Sequence, residues 1–270
     1  MGQELSSMCT CFDTIQESKH EMSFIDSENK LKDHEGVEKP DNSSENENPF
    51  EQVEEISGFK YSTIIKLATP AVDNFTQLIN EGVDGYDVII DKENCKVYSR
   101  EATDGYIIKY TWNVQYSPQE FMNFMDKAEL RKTWDSNIDI INVLGFYNPK
   151  ESLVYTKYKK FLAFDPRDTL AFCKSTVING NLAEVTFSVE SEAYPKGDKS
   201  VRVILYCAGL YAENIEPDDQ GNKTKITCLS HMDVGLPKAL NNVARKFAGT
   251  TIPPLTKKIC TELKKYYDQQ

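Results

Sequence analysis

The first six residues, Met1-Gly2-Gln3-Glu4-Leu5-Ser6, fit the M-G-x-x-x-[ST] pattern in which Met1 is removed and Gly2 is acylated with myristate. A single such chain holds a membrane weakly, so stable attachment needs a second signal. The surrounding segment is acidic, which rules out a polybasic signal and leaves Cys9 and Cys11, close to the acyl site, as palmitoylation candidates. The competing reading is a chance match to a short pattern. Other reactive side chains are sparse. Of three His, His20 and His34 fall in the N-terminal segment, so His231 stands alone, expected as a strand residue rather than a base or part of a zinc cluster. Seven Cys show no CxxC pair, and the five beyond residue 55 read as small core residues rather than a metal or disulfide framework. No G-x-S-x-G elbow, P-loop or G-x-G-x-x-G occurs, and the run from Asp218 to Asn222 lacks calcium-loop spacing. This inventory suits a container better than a catalyst, and no cofactor is expected.

The elements that position these residues divide unequally along the 270-residue chain. Residues 1–55 hold 15 Asp+Glu against 4 Lys+Arg and so carry the whole net charge of -11, whereas residues 56–270 hold 27 of each sign. All 14 Tyr and both Trp also lie beyond residue 55. The first 55 residues bury too little apolar surface to offset chain entropy and are expected to be a disordered tail. Flexible-chain scaling gives residues 13–55 a reach of about 35–40 Å, the length of a tether. No apolar stretch approaches the roughly 20 residues of a spanning helix, and residues 1–15 lack the basic start and apolar core of a secretory signal, so a cytoplasmic protein is expected. An acidic chain without a basic, aromatic-interleaved patch is a poor nucleic-acid binder.

In the folded part a first helix reads from Thr69, with Pro70 at its first position, to Gly82. Three strands follow at 86–90, 95–101 and 106–116, the last with Tyr106, Ile108, Tyr110, Trp112 and Val114 alternating against polar neighbours, and Asp104-Gly105 turning between the second and third. Ser117-Pro118-Gln119-Glu120 is a capping box opening a helix to Trp134. Six more strands, at 139–147, 151–159, 168–178, 182–193, 200–213 and 223–234, are joined by short turns, which implies an antiparallel meander. About nine strands make a sheet that curls and needs cover on its concave face. The cover is a kinked amphipathic helix in which Leu240, Val243, Ala244 and Phe247 lead, past Gly249 and Pro253-Pro254, to Leu255, Ile259, Leu263 and Tyr266. Residues 238–270 carry seven Lys+Arg against Glu262 and Asp268, either a solvated outer face or a surface that meets an anionic membrane.

The order helix, three strands, helix, six strands, long kinked helix resembles the START (steroidogenic acute regulatory protein-related lipid-transfer) domain. That is an α+β helix-grip fold, a curved antiparallel sheet around a C-terminal helix with one buried lipid cavity. Three patterns carry the resemblance over about residues 60–270: Arg131-Lys132-Thr133-Trp134-Asp135, Asp165-Pro166-Arg167-Asp168 and Asp233-Val234-Gly235-Leu236-Pro237-Lys238. The first looks most like the phosphatidylcholine transfer protein branch, in which the Arg meets the lipid phosphate and the Asp pairs with it. The resemblance thus implies a phosphate contact for Arg131 with Asp135 as its partner, on one helical face by i, i+4 spacing; the alternative is an ordinary surface pair beside a core Trp134. A gap-free count puts two cage aromatics of that branch on Thr156 and Thr169 and leaves only Tyr206, which weakens cation–π recognition of choline. The same count puts the cavity ion pair of the sterol-binding branch on Val154 and Cys173. A phospholipid with another headgroup, or broad specificity, is therefore expected over a sterol. The expected protein is a monomeric lipid carrier or sensor, peripheral on the cytosolic face of a membrane, with no catalytic residues and a lid built on Leu255, Ile259 and Leu263. Alternatives are a sterol carrier, a small-molecule enzyme on a helix-grip fold, or an adaptor with a filled interior.

Overall fold

The computed structural model describes residues 52–160, 164–190, 194, 199–237 and 240–270. Gly2, Cys9, Cys11, His20 and His34 lie outside the described residues, as does the turn expected at 195–198. The folded unit begins slightly earlier than composition suggests. The Val53 amide donates to the Tyr147 carbonyl at 3.0 Å, and a short hairpin of β1 (Glu55–Ile56) and β2 (Phe59–Lys60) leads into α1 (Tyr61–Asn80). The helix therefore starts eight residues before the expected Thr69, with Pro70 inside it on the exposed side. Burial of Ile64, Ala68, Ala71, Phe75 and Leu78 along one stripe outweighs the backbone bond that Pro70 forgoes.

Nine long strands follow the expected spacing: β3 (Asp87–Lys92), β4 (Cys95–Ala102), β5 (Gly105–Val114), β6 (Ile138–Asn148), β7 (Glu151–Tyr158), β8 (Arg167–Ile178), β9 (Asn181–Ser188), β11 (Ile204–Asn214) and β12 (Thr224–Asp233). The two-residue β10 (Val201–Arg202) pairs parallel with β8. Sheet order is β3-β4-β5-β12-β11-β9-β8-β7-β6, so the chain runs a three-strand meander, crosses over through helices, and returns as a second meander whose last strand zips onto β5. The crossover is two helices rather than one. In α2 (Pro118–Met125) the Ser117 hydroxyl accepts from the Glu120 amide, and the Glu120 carboxylate accepts from the Ser117 amide, as the capping box requires. The helix stops at Asp126, and α3 (Ala128–Trp134) begins after Lys127.

The sheet has two buried faces. Against one lies α1, with Phe75 and Leu78 on Ile107, Val185, Cys207 and Leu229, and Ile64 and Ala68 near Tyr147, Leu153, Leu170 and Phe172. The other, inner face carries Val97, Ile108, Tyr110, Trp112, Val154, Ala171, Cys173, Ala208, Leu210 and Cys228. Helix α4 (Asn241–Asp268) packs on the inner side of β3, β4 and β5 and against α2 and α3, through Ala248, Ile252, Leu255, Ile259 and Leu263. Gly249 sets the closeness of that packing, because a Cβ there would stand 2.7 Å from the Ile89 Cγ2. None of the five Cys of the described residues is in a disulfide, and four of them are buried.

Candidate functional site

Because α3 packs on β6 and its Trp134 belongs to the inner core, Arg131 is carried inward with it while Glu129 and Lys132 stay exposed. Arg131 is 1% exposed and Asp135 is 0% exposed, which a surface pair would not be. The Arg131 guanidinium carbon stands 5.3 Å from the Trp134 ring. Asp135 follows the last turn of α3, its amide bonded to the Arg131 carbonyl at 2.8 Å, and its Oδ1 accepts from the Asn137 amide at 3.1 Å while its Oδ2 has no hydrogen-bond partner. Burial raises the Asp135 acid to about 6, against the opposing pull of the Arg131 charge, the Asn137 hydrogen bond, Lys258 of α4 and Lys159 after β7.

Two strands away from α3, Thr156 and Thr169 stand opposite one another in the β7–β8 register, and Ile141 of β6 is registered with Thr156. Both threonines share the strand parity of the core residues Val154, Ala171 and Cys173, so they face inward, and both are buried. Val154 and Cys173 also face inward and put apolar side chains where a sterol-type ion pair was sought. Tyr206 does not join them. The β11 register shifts between Leu205 and Cys207, and at that irregularity the Tyr206 ring turns to stack on His231, 4.8 Å between centroids. His231 itself lies within 3.5 Å of Asn74 of α1 and 2.9 Å of Asp104, which places Tyr206 on the α1 side of the sheet and removes it from the inner site.

A feature that motif matching missed runs across the inner face. Ser152, Cys173, Thr186, Ala208, Ser230, Ile108 and Ser99 fall in one register row over seven adjacent strands, and all are buried. Glu184, 0% exposed, lies two residues from Thr186 on the same face and accepts its hydroxyl at 3.1 Å. The hydroxyls of Ser99 and Ser152 have no hydrogen-bond partner, nor has the Trp112 indole nitrogen. The available signal was polar residues at strand positions whose parity is otherwise apolar.

Two of the three motifs are tied together physically just ahead of α4. Arg167 reaches from β8 to the Val234 carbonyl at 3.4 Å, and Gly235, at φ +67°, turns the chain there while its amide donates to Asp233 at 2.8 Å. Asp168 points to the other face, where it pairs with Arg202 and accepts the Ser200 hydroxyl at 2.7 Å. Further along α4, Leu255, Ile259 and Leu263 are all buried, and the end is clasped by Tyr267, which stacks on Tyr116 at 5.2 Å and donates to the Glu120 carbonyl at 2.9 Å. Beside this half runs an open groove of about 1000 Å³, lined by Cys95, Trp112, Tyr116, Lys257, Cys260 and Leu263 among others. Lys257 and Lys258 are exposed, whereas Lys264 and Lys265 pair with Asp268 and Glu262 within the helix. Among the described residues no cluster of His, Cys, Asp and Glu has the makings of a metal site, and no helix is long and apolar enough to cross a membrane.

Comparison with known proteins bears on this architecture. No curated protein matches the chain by sequence. Among solved structures it is similar to human StAR-related lipid transfer protein 5, at 17% identity and a TM-score of 0.66 over 77% of this chain and 100% of that one. It is also similar to human STARD10, at 18% identity and a TM-score of 0.61 over 73% and 81% of the two chains. A STAR-related lipid transfer protein from Xanthomonas axonopodis aligns at 17% identity and a TM-score of 0.53, over 67% and 99%. These likenesses establish the helix-grip architecture. The START domain family model matches residues 87–266, well over half of the sequence, and the chain belongs to that family.

Proposed function

We propose that the protein binds one lipid, a phospholipid, against the inner face of its sheet beneath α4, and carries it between membranes or senses it, without turnover chemistry. Membership of a family whose solved relatives are named as lipid transfer proteins supports the general reading. The observation that carries the phospholipid part is the placement of Arg131 and Asp135, a cation and a carboxyl group both withdrawn from solvent at the edge of an apolar interior. A guanidinium presents five donors in a fork that matches a phosphodiester, and a low-polarity surrounding strengthens such contacts.

Two acyl chains in water cost about 0.8 kcal/mol per CH₂, more than 20 kcal/mol for a long-chain phospholipid. An apolar interior makes exchange nearly neutral by standing in for the bilayer, and the barrier that remains is opening the roof. Helix α4 is the movable wall in this proposal. Pro253 and Pro254 remove two backbone donors from its middle, and the groove beside Leu255–Tyr266 already separates part of it from β5. Exposed Lys257 and Lys258 would meet an anionic leaflet, each adding about 1 kcal/mol. Choline is not favoured as the headgroup, since Thr156 and Thr169 stand where an aromatic cage would and Tyr206 faces the other way.

The test is native mass spectrometry of the full-length protein exposed to a total lipid extract, followed by binding of the lipid it retains. A carrier holds one phospholipid per chain. Arg131→Met, which fills the volume without the charge, is expected to lower phospholipid affinity at least about tenfold with little change in melting temperature. Equal losses of binding and stability would make Arg131 a structural residue instead.

A further inference from the structure

Two thiols come together where the C-terminal half of α4 lies on the sheet. Cys95 opens β4 and is 4% exposed, Cys260 is half-buried in α4, and both line the groove between the helix and the sheet. The Cys95 sulfur and the Thr256 hydroxyl are hydrogen-bonded. Thr256 stands one turn before Cys260, so the i, i+4 spacing puts Cys260 on the side of α4 that faces Cys95. The sulfurs are near enough for charge on Cys95 to oppose ionisation of Cys260.

We infer that Cys95 and Cys260 form an oxidation site, a thiol pair that hydrogen peroxide converts into a reversible disulfide tying α4 to β4. The inference rests on the reading of α4 as the movable wall and supplies that wall with a lock. The Cys260 thiolate, reached through the groove, attacks one peroxide oxygen. The O–O bond breaks, the sulfur becomes a sulfenic acid, and the hydroxide released takes a proton to leave as water. The Cys95 thiolate then attacks that sulfur, the S–O bond breaks, and a second water leaves. The two thiols have together given up two electrons and two protons. A disulfide holds its Cα atoms about 4.4–6.8 Å apart, so it pins the helix to the strand and stops the roof from lifting. Burial pushes the Cys260 thiol up to about 11 and raises that of Cys95 as well. Little thiolate is present near neutral pH, and the pair answers sustained oxidation rather than a brief pulse.

Hydrogen peroxide treatment of the full-length protein, followed by non-reducing peptide mapping, tests the site. A cross-linked Cys95–Cys260 peptide is expected, forming faster at about pH 9 than at about pH 7 and released by a thiol reductant. The oxidised protein is expected to melt at a higher temperature and to transfer fluorescent lipid about tenfold more slowly, both changes reversing on reduction. Cys95→Ala and Cys260→Ala, made separately, should each abolish the cross-link and the slowing, and either suffices should the other fail to fold. Peroxide that leaves the two unlinked, or joins them to other cysteines, would overturn the site without touching the lipid reading. A cross-link that forms while transfer keeps its rate would overturn the lock and the movable wall together. If the reduced wild type transfers no lipid, the carrier reading falls by itself, and the cross-link with its melting shift decides the site.

Discussion

Asp135 is the residue whose environment most changes its chemistry. Its carboxyl group titrates at about 6 in the folded protein because burial disfavours the anion more than Arg131, Asn137, Lys258 and Lys159 favour it. An unfolded Asp titrates near 3.9, so the folded state holds this proton more tightly between those values. The stabilisation is complete below about pH 4 and is lost as pH rises through about 6, amounting to about 3 kcal/mol across the window. Asp135→Asn is expected to remove this part of the pH dependence, leaving melting temperature flatter than the wild type between pH 4 and 7. Parallel curves for the two proteins would show that Asp135 keeps an ordinary acidity. A phosphate bound beside Arg131 would add a second anion near Asp135 and hold its proton further, so phospholipid binding should be tighter at pH 6 than at pH 8.

At the scale of elements, the proposed role sets α4 two tasks in conflict, since the helix completes the core and, as the movable wall, would have to leave it. Leu263 is fully buried near the aromatic clasp of Tyr116, Phe124, Tyr266 and Tyr267. Leu263→Ala is expected to cost about 2–5 kcal/mol of stability and to speed lipid exchange, as measured by thermal melting and fluorescent-lipid transfer. Lys257→Ala, on the exposed side, should leave stability within about 0.5 kcal/mol and slow transfer to anionic vesicles only. The strand spacings, the capping box at Ser117 and the apolar stripe of α4 were all legible in the sequence, because each is a local pattern with one dominant physical cause. Three features were not. The start of α1 was displaced because Pro70 marks a helix beginning only when burial does not extend the helix past it. The join of β5 to β12 lies between residues more than a hundred apart and has no local signal. Tyr206 was assigned to the site by its match to a cage aromatic of the family, and the shift of register on β11, which no such match reveals, turns its side chain to the other face. Strand alternation runs without a register shift along β7, β8 and β9 and puts Thr156, Thr169 and Glu184 on the inner face.

At the scale of the whole molecule, the proposed role requires the folded unit to find a membrane and also leave it. Residues 56–270 balance their charges, so bulk electrostatics draw them to no surface, and only the local lysines of α4 favour an anionic leaflet. The N-terminal segment, with 15 acidic and 4 basic residues, is repelled from such a leaflet. In the proposed role, membrane residence would come chiefly from acyl chains on the N-terminal pattern, and the number of chains would decide its character. Myristate on Gly2 alone gives marginal, reversible attachment, while a second chain on Cys9 or Cys11 makes it stable. A carrier benefits from the first state and a resident sensor from the second, so the acylation count separates the two roles that an inner lipid site leaves open. In cells, Gly2→Ala is expected to move the protein wholly to the soluble fraction. Cys9→Ser/Cys11→Ser is expected to leave a partial membrane fraction that washes off on dilution. Membrane retention of Gly2→Ala would remove acylation from the proposal and place the whole burden of docking on Lys257, Lys258 and the surface around them.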